Sequence, residues 1–183
     1  MDRATPDLSF SKQNEELFKK HFPAGLDDLT AVLKAHLYLE TMFRDFCARS
    51  LPHPAHLKDA RLTFKQISLL ARALCRLPHS NFDYVWVLVS KLNSLRNTMA
   101  HELEPEQTKI DNLRASIISL IHQHSSEGLK YESFPRALGY MCGLVDCLLQ
   151  VSLVLVDPKL SAKGGTSLVG AVEHIEREFG SAE

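Results

Sequence analysis

Residues 91–103 read KLNSLRNTMAHEL, and this stretch predicts the second half of a long helix. Apolar residues recur in it and just upstream at steps of three and four, which places one face in a core: Val85, Leu88, Val89, Leu92, Leu95 and Met99. Pro105 disfavours a helical conformation at Glu104, so the helix is predicted to end between His101 and Leu103.

Three polar residues, Arg96, Asn97 and His101, lie near the end of this helix. A guanidinium is a permanent cation that clamps phosphate oxygens, and an imidazole moves protons near neutral pH. Residues five apart are separated by about 140° around a regular helix, so Arg96 and His101 do not converge there. Either the helix unwinds at its end, or a second copy supplies its own pair across a two-fold axis. A structural role also fits, because a helix end favours cationic side chains.

Residues 96–101, RNTMAH, resemble the signature of HEPN domains (higher eukaryotes and prokaryotes nucleotide-binding), in which an Arg and a polar residue precede a His. Residues 91–97 and 100–101 are similar to the same family, and residues 35–40 and 60–66 resemble its uncharacterised bacterial members. The resemblance extends over residues 26–156. A second Arg-to-His spacing, from Arg49 to His56, passes through two prolines and is predicted to be a loop.

This resemblance implies a metal-independent endoribonuclease that acts as a symmetric dimer and needs no cofactor. Two copies of Arg96 and His101 would surround one cleft, with one imidazole as base, one as acid, and the arginines against the pentavalent phosphate. The 2′-hydroxyl of the RNA attacks and leaves a cyclic phosphate. Asn97 is part of the motif, and it holds a phosphate oxygen or fixes the His loop. Such a protein acts as a toxin or defence effector, with an antitoxin as its partner.

Two other functions stay open. One is a non-catalytic HEPN-like transcriptional regulator that binds a protein or a nucleotide, since the mannitol operon repressor group is loosely similar. The other is a helical interaction module that uses the apolar residues 134–156. Leu103 stands where one subset of the family has a Tyr that a nucleotidyltransferase partner modifies, which argues against that modification here.

His36 and Glu40 are four residues apart and share one face of the second predicted helix, residues 26–49. One interpretation places Glu40 beside Arg96 as an orienting carboxylate, with His36 in support. The favoured interpretation is structural: a surface His–Glu pair, or an anchor in the core for another helix. Two ligands without a third make a weak metal site, so no metal is predicted.

Charge is unevenly distributed along the chain. The net charge is −1, but residues 51–101 hold seven bases and two acids, which leaves that segment at +5. This basic middle predicts either a surface for an anionic ligand such as RNA or two solvated helix faces. Four cysteines without a C-x-x-C pair are typical of free thiols in a reducing cytoplasm. The sequence has no apolar signal core at its start, and its longest apolar run, residues 143–156, is too short to cross a membrane.

The pattern of apolar residues and breakers predicts an all-α bundle of four to five main helices with short loops. Residues 1–10 are a loose tail, residues 11–157 the HEPN-like helical domain, and residues 158–183 a linker followed by a short amphipathic helix over 168–179. Residues 134–156 are apolar nearly all round, which predicts a central helix or a dimer contact. For the helix over 26–49, leucine spacing predicts a core stripe of Leu26, Leu29, Leu33, Leu37, Phe43 and Cys47.

Overall fold

The computed structural model describes residues 20–23, 25–57, 60–77, 79–101, 106–124 and 133–156. Within these ranges the chain forms five α-helices and no strand: α1 (Asp28–Ser50), α2 (Phe64–Leu74), α3 (His79–His101), α4 (Gln107–Gln123) and α5 (Phe134–Val156). A 3₁₀ turn, Pro54–Leu57, joins α1 to α2. The predicted all-α helical bundle is confirmed. The tail over 1–10, residues 11–19 at the start of the predicted domain and the segment 158–183 lie outside the described residues.

Helix α1 is the central helix of the bundle, because it packs against α5, α2 and α3. Asp27 caps its first turn by accepting a hydrogen bond from the Thr30 backbone N–H at 2.9 Å. Asp28, in the same turn, forms an ion pair with Arg114 of α4. The start of α1 is therefore tied both to its own backbone and to a neighbouring helix.

The stripe of α1 that faces the core differs from the leucine stripe that spacing predicts. Leu29 is 44% exposed and Leu37 is 63% exposed. Phe43 and Cys47 of the predicted stripe are buried, and the other buried residues of α1 are Ala31, Val32, Ala35, His36, Leu39 and Phe46. Alanines on this face let the neighbouring helices approach closely, and the two phenylalanines fill the wider space further along.

Helices α2 and α3 close one side of α1. Thr63 and Gln66 form a capping box at the start of α2, whose inner face consists of Phe64, Ile67 and Ala71. In α3 the predicted apolar face is buried, apart from the partly exposed Met99. Trp86 is 7% exposed and stacks on Phe43 at 5.9 Å, so it belongs to the core rather than to a subunit contact.

Helix α5 closes the other side of α1 and also contacts α3 and α4. Residues 134–153 of α5 are apolar and long enough to cross a membrane, so the prediction that no apolar run has this length was wrong. Of their most apolar window, 61% is buried inside the bundle. That burial is typical of a core helix and agrees with its predicted central position. Buried Ser152 accepts a hydrogen bond from the Arg76 backbone N–H at 3.0 Å, which ties α5 to the end of α2.

The four cysteines are all free, as their spacing predicts. Cys47, Cys75 and Cys142 are buried, and Cys147 is exposed. Burial raises the pKa of the Cys47 thiol to about 11, so this group is a small apolar core residue at neutral pH and not a nucleophile.

Candidate functional site

A polar contact joins α1 to α3 at the middle of the bundle. Nε2 of His36 lies 3.2 Å from Oδ1 of Asn93, and since the amide oxygen accepts, the imidazole nitrogen donates. The ring of His36 also stacks on Phe64 of α2, with centroids 3.9 Å apart and an angle of 25° between the planes. His36 is only 7% exposed, so it anchors three helices through one ring.

The charge state of His36 follows from these surroundings. Burial lowers its pKa first of all. The hydrogen bond with Asn93 opposes that shift, the positive charge of Arg96 adds to it, and the carboxylate of Glu40 opposes it. The net pKa lies below the ordinary value, so the ring is neutral at pH 7.

Glu40 lies one turn beyond His36 and forms its ion pair with Arg44 at 2.7 Å. Arg44 in turn donates a hydrogen bond to the carbonyl oxygen of Leu62 at 2.8 Å, just before α2. Glu40 is thus part of a link between α1 and the α2 cap, and it acts on His36 through its charge. The orienting role of Glu40 beside Arg96 stays a prediction.

The first two signature residues contact each other on α3. Nη1 of Arg96 donates to Oδ1 of Asn97 at 3.2 Å. Arg96 is partly buried, whereas Asn97 is exposed. This contact restricts the guanidinium of Arg96 and uses the amide oxygen of Asn97 as its acceptor.

His101 is the last described residue of α3, and its backbone position follows from the helix register. Exposed residues recur along α3 at alternating steps of four and three: Asp83, Val87, Ser90, Ser94 and Asn97. His101 follows Asn97 by four residues and so continues this row, about 40° from Asn97 and about 140° from Arg96 around the axis. We call Val87, Ser90, Ser94, Asn97 and His101 the open row of α3.

The register of α3 bears on how Arg96 and His101 could be brought together. Helix α3 is regular from Arg96 through His101, so the backbone does not unwind between them. Arg96 is partly buried, while the backbone of His101 continues the row of Val87, Ser90, Ser94 and Asn97 by helix register. One chain therefore does not bring the two residues to one point, and a composite site requires a second copy of α3.

An open groove of about 520 Å³ runs between α3 and α4, next to the open row. It carries two lysines and several side chains with hydroxyl or amide groups, together with the carboxylate of Glu106: Lys91, Ser94, Thr98, Thr108, Lys109, Asn112 and Ser116. Nζ of Lys91 donates to Oγ of Ser116 at 3.1 Å, which holds the ammonium at the groove. Ammonium and hydroxyl donors of this kind suit the phosphate and sugar of a nucleic acid.

Sequence reasoning missed the residues that complete this site. Asn93 lies within residues 91–103, but its partner His36 is 57 positions away, and no local spacing links the two residues. The groove residues of α4 carry no signal in the sequence, because they become neighbours of Lys91 only when α3 and α4 pack. In the described part of the chain, no three His, Cys, Asp or Glu side chains cluster as a metal site would require.

The chain matches no protein-family model, no curated protein and no solved structure. Any functional assignment must therefore come from the residues themselves and from the geometry of α3.

Proposed function

We propose that this protein is a metal-independent endoribonuclease that acts as a symmetric dimer, with Arg96, Asn97 and His101 of both copies around one RNA phosphate. The observation that supports it is the register of α3. Arg96 is partly buried, Asn97 is exposed, and the backbone of His101 continues the row of Asn97 one helical turn further on. A helix that pairs with its own copy along this row would bring two sets of these residues to one cleft.

The composition of the open row suits such pairing. Val87, Ser90 and Ser94 are small, and their alternating steps of four and three are the spacing of a seam between two helices. Small side chains allow two helix backbones to approach closely. Val87 is 45% exposed in the single chain, and this surface would be covered in the dimer.

The proposed reaction divides the work between two histidines. One imidazole takes the proton of the RNA 2′-hydroxyl while that oxygen forms a bond to the adjacent phosphorus. The bond from phosphorus to the 5′-oxygen breaks, and the protonated imidazole of the second copy gives its proton to that oxygen. The products are a cyclic phosphate and a 5′-hydroxyl end, so atoms and protons balance.

The charge on the pentavalent phosphate would be met by the two guanidiniums, with Asn97 restricting each one. The neutral ring of His36 supports this arrangement, because it holds α1 against α3 without placing a competing charge beside Arg96. The groove between α3 and α4 would bind the neighbouring nucleotides through the ammonium of Lys91 and the hydroxyl groups of the other lining residues.

The direct test is cleavage of an end-labelled structured RNA by the purified protein in excess chelator. We expect cutting that resists the chelator, leaves cyclic phosphate ends and falls by at least about 100-fold in His101→Ala, since a general acid or base contributes that much. His56→Ala, in the exposed turn after α1, is the matched control and should cut like the wild type. Equal cutting by all three proteins would mean a contaminant, and no cutting by the folded wild type would favour a regulator or a scaffold.

The dimer is tested separately by Val87→Asp on the open row. Two carboxylates would face each other across the two-fold axis, and like charges in an interface weaken association by several kcal/mol. Sedimentation should show a monomer, while Leu69→Asp, which changes an equally exposed leucine on α2, should stay dimeric. A monomeric wild type would contradict the composite site even if the RNA were cut.

A further inference from the structure

A second surface lies on the far side of α1, between α1 and α5. Leu37 is the most exposed large apolar side chain in the described part of the chain, at 63%. It borders a cavity of about 430 Å³ whose floor is formed by apolar residues of both helices: Tyr38, Met42, Phe46, Leu149 and Leu153. We call this cavity the α1–α5 groove. Its lining is mostly apolar, which is typical of a surface that another chain segment covers.

The rim of the α1–α5 groove is charged. Lys34 and His21 stand at one part of it, and Arg49 pairs with Asp45 at 2.8 Å at another. Asp146 of α5 completes the rim. Burial first, and then the carboxylate of Asp146, raise the pKa of Tyr38 to about 12, so the phenol stays neutral in the floor. An occupant with an apolar stripe and charged flanks would match this floor and rim.

The end of the chain supplies such an occupant. The described residues end at Val156, three positions after Leu153 of the groove floor. In the 27 residues that follow, Leu168, Val172, Ile175 and Phe179 recur at steps of four, three and four, and acidic residues flank them at 173, 176 and 178. These steps give one apolar stripe if the segment is helical, and its acids would meet Lys34 of the rim.

The connection is long enough for this docking. Residues 157–167 separate α5 from the apolar stripe, and eleven residues can span up to about 36 Å. The groove, rim included, extends along α5 only from Asp146 to Leu153, which is about 10 Å of helix. We propose that residues 168–179 bind the α1–α5 groove of their own chain and cover Leu37.

The first test is photo-crosslinking in the full chain, with a benzophenone side chain in place of Leu37. We expect the crosslinked peptide to come from residues 168–179. Mixing ¹⁵N-labelled and unlabelled protein should give crosslinks only within one isotopic form. The same probe at Leu69, which is 53% exposed on α2, should not reach that segment. Crosslinks to residues 1–19, to a second copy, or to no part of residues 168–179 would overturn the proposal.

The second test measures how well the groove is covered. In Leu37→Cys, alkylation of the new thiol is followed by peptide mapping, which separates it from exposed Cys147. Adding Val172→Asp and Ile175→Asp should raise the alkylation rate about tenfold, as expected when a segment docked about nine-tenths of the time is released. Adding Glu173→Gln and Glu176→Gln is the milder control and should raise the rate less. Equal rates in the presence and absence of the aspartates would overturn the proposal.

Discussion

His36 and Leu37 are neighbours in the sequence, yet the bundle buries one side chain and leaves the other exposed. The imidazole is 7% exposed, whereas the leucine is 63% exposed. Burial of a polar ring is tolerated because Asn93 satisfies its nitrogen and Phe64 stacks on its face. Exposure of the leucine leaves an apolar groove beside α5. The α3 side of α1 is therefore covered within the described bundle, whereas the α5 side keeps an apolar surface exposed.

The largest difference between the α3 side and the α5 side of α1 should appear in the rate of RNA cleavage. Arg96→Lys keeps the charge on the α3 side but removes the planar fork that binds two phosphate oxygens. We expect RNA cleavage to fall about 100-fold, the loss typical of one removed donor to a charged transition state. Leu37→Gln on the other side should leave cleavage within about two-fold of the wild type. Initial rates at saturating RNA measure both, and a large loss in Leu37→Gln would link the groove to catalysis.

Stability should show the next largest difference. His36→Ala removes the stacked ring and leaves the Asn93 amide without its donor in a part-buried site, so we expect a loss of about 2–3 kcal/mol in the free energy of unfolding. Leu37→Ala removes a side chain that only the weakly docked segment 168–179 would cover, and should cost at most about 1 kcal/mol. Urea titrations at pH 7.5 compare the two. Similar losses would mean that Leu37 is covered as thoroughly as His36.

A smaller effect should appear in the pH dependence of the free energy of unfolding, because His36 titrates and Leu37 does not. Burial keeps the pKa of His36 below its ordinary value of 6.5 in the folded chain, so the unfolded chain binds more protons as the pH falls below 6.5. The contribution of the neutral ring is complete above 6.5 and is lost as the pH falls through the folded pKa. We expect the free energy of unfolding to decrease between pH 7.5 and pH 5.

The control for this pH dependence is His36→Gln, which keeps a polar side chain but does not titrate. Its unfolding free energy should fall less steeply over the same range. His124, whose pKa burial also lowers, accounts for part of the remaining slope. Identical slopes in the wild type and His36→Gln would show that protonation of His36 does not destabilise the fold.

The smallest change in the free energy of unfolding is expected at Arg44, on the surface of α1. Arg44→Ala breaks a partly exposed ion pair with Glu40 and a hydrogen bond to the Leu62 carbonyl. Exposed pairs of this kind contribute little, so a loss of about 1 kcal/mol or less is expected in thermal or urea unfolding. Lys65→Ala, an exposed change on α2, serves as the control. A loss as large as that of His36→Ala would make the Glu40–Arg44 link part of the core contact.

The helices themselves could be predicted from periodicity and breakers, because these depend on residues close together in the sequence. The predicted end of α3 agrees with its last described residue, His101. The predicted stripe of α1 was wrong at Leu29 and Leu37, since leucine spacing alone does not indicate which face meets the neighbouring helices. The pairing of Glu40 with Arg44 could be predicted from its i, i+4 spacing, whereas the pairing of His36 with Asn93 could not.

The order of residues by itself determined an all-α bundle and a helix that carries Arg96, Asn97 and His101, because helix periods and stop signals are local. Only the tertiary structure decided that His36 is buried, that Leu37 borders an open groove and that Lys91 meets hydroxyl groups of α4. Those outcomes depend on how closely helices far apart in the sequence approach. Small side chains on α1, such as Ala31 and Ala35, permit that close approach, and the spacing of apolar residues in the sequence does not indicate it.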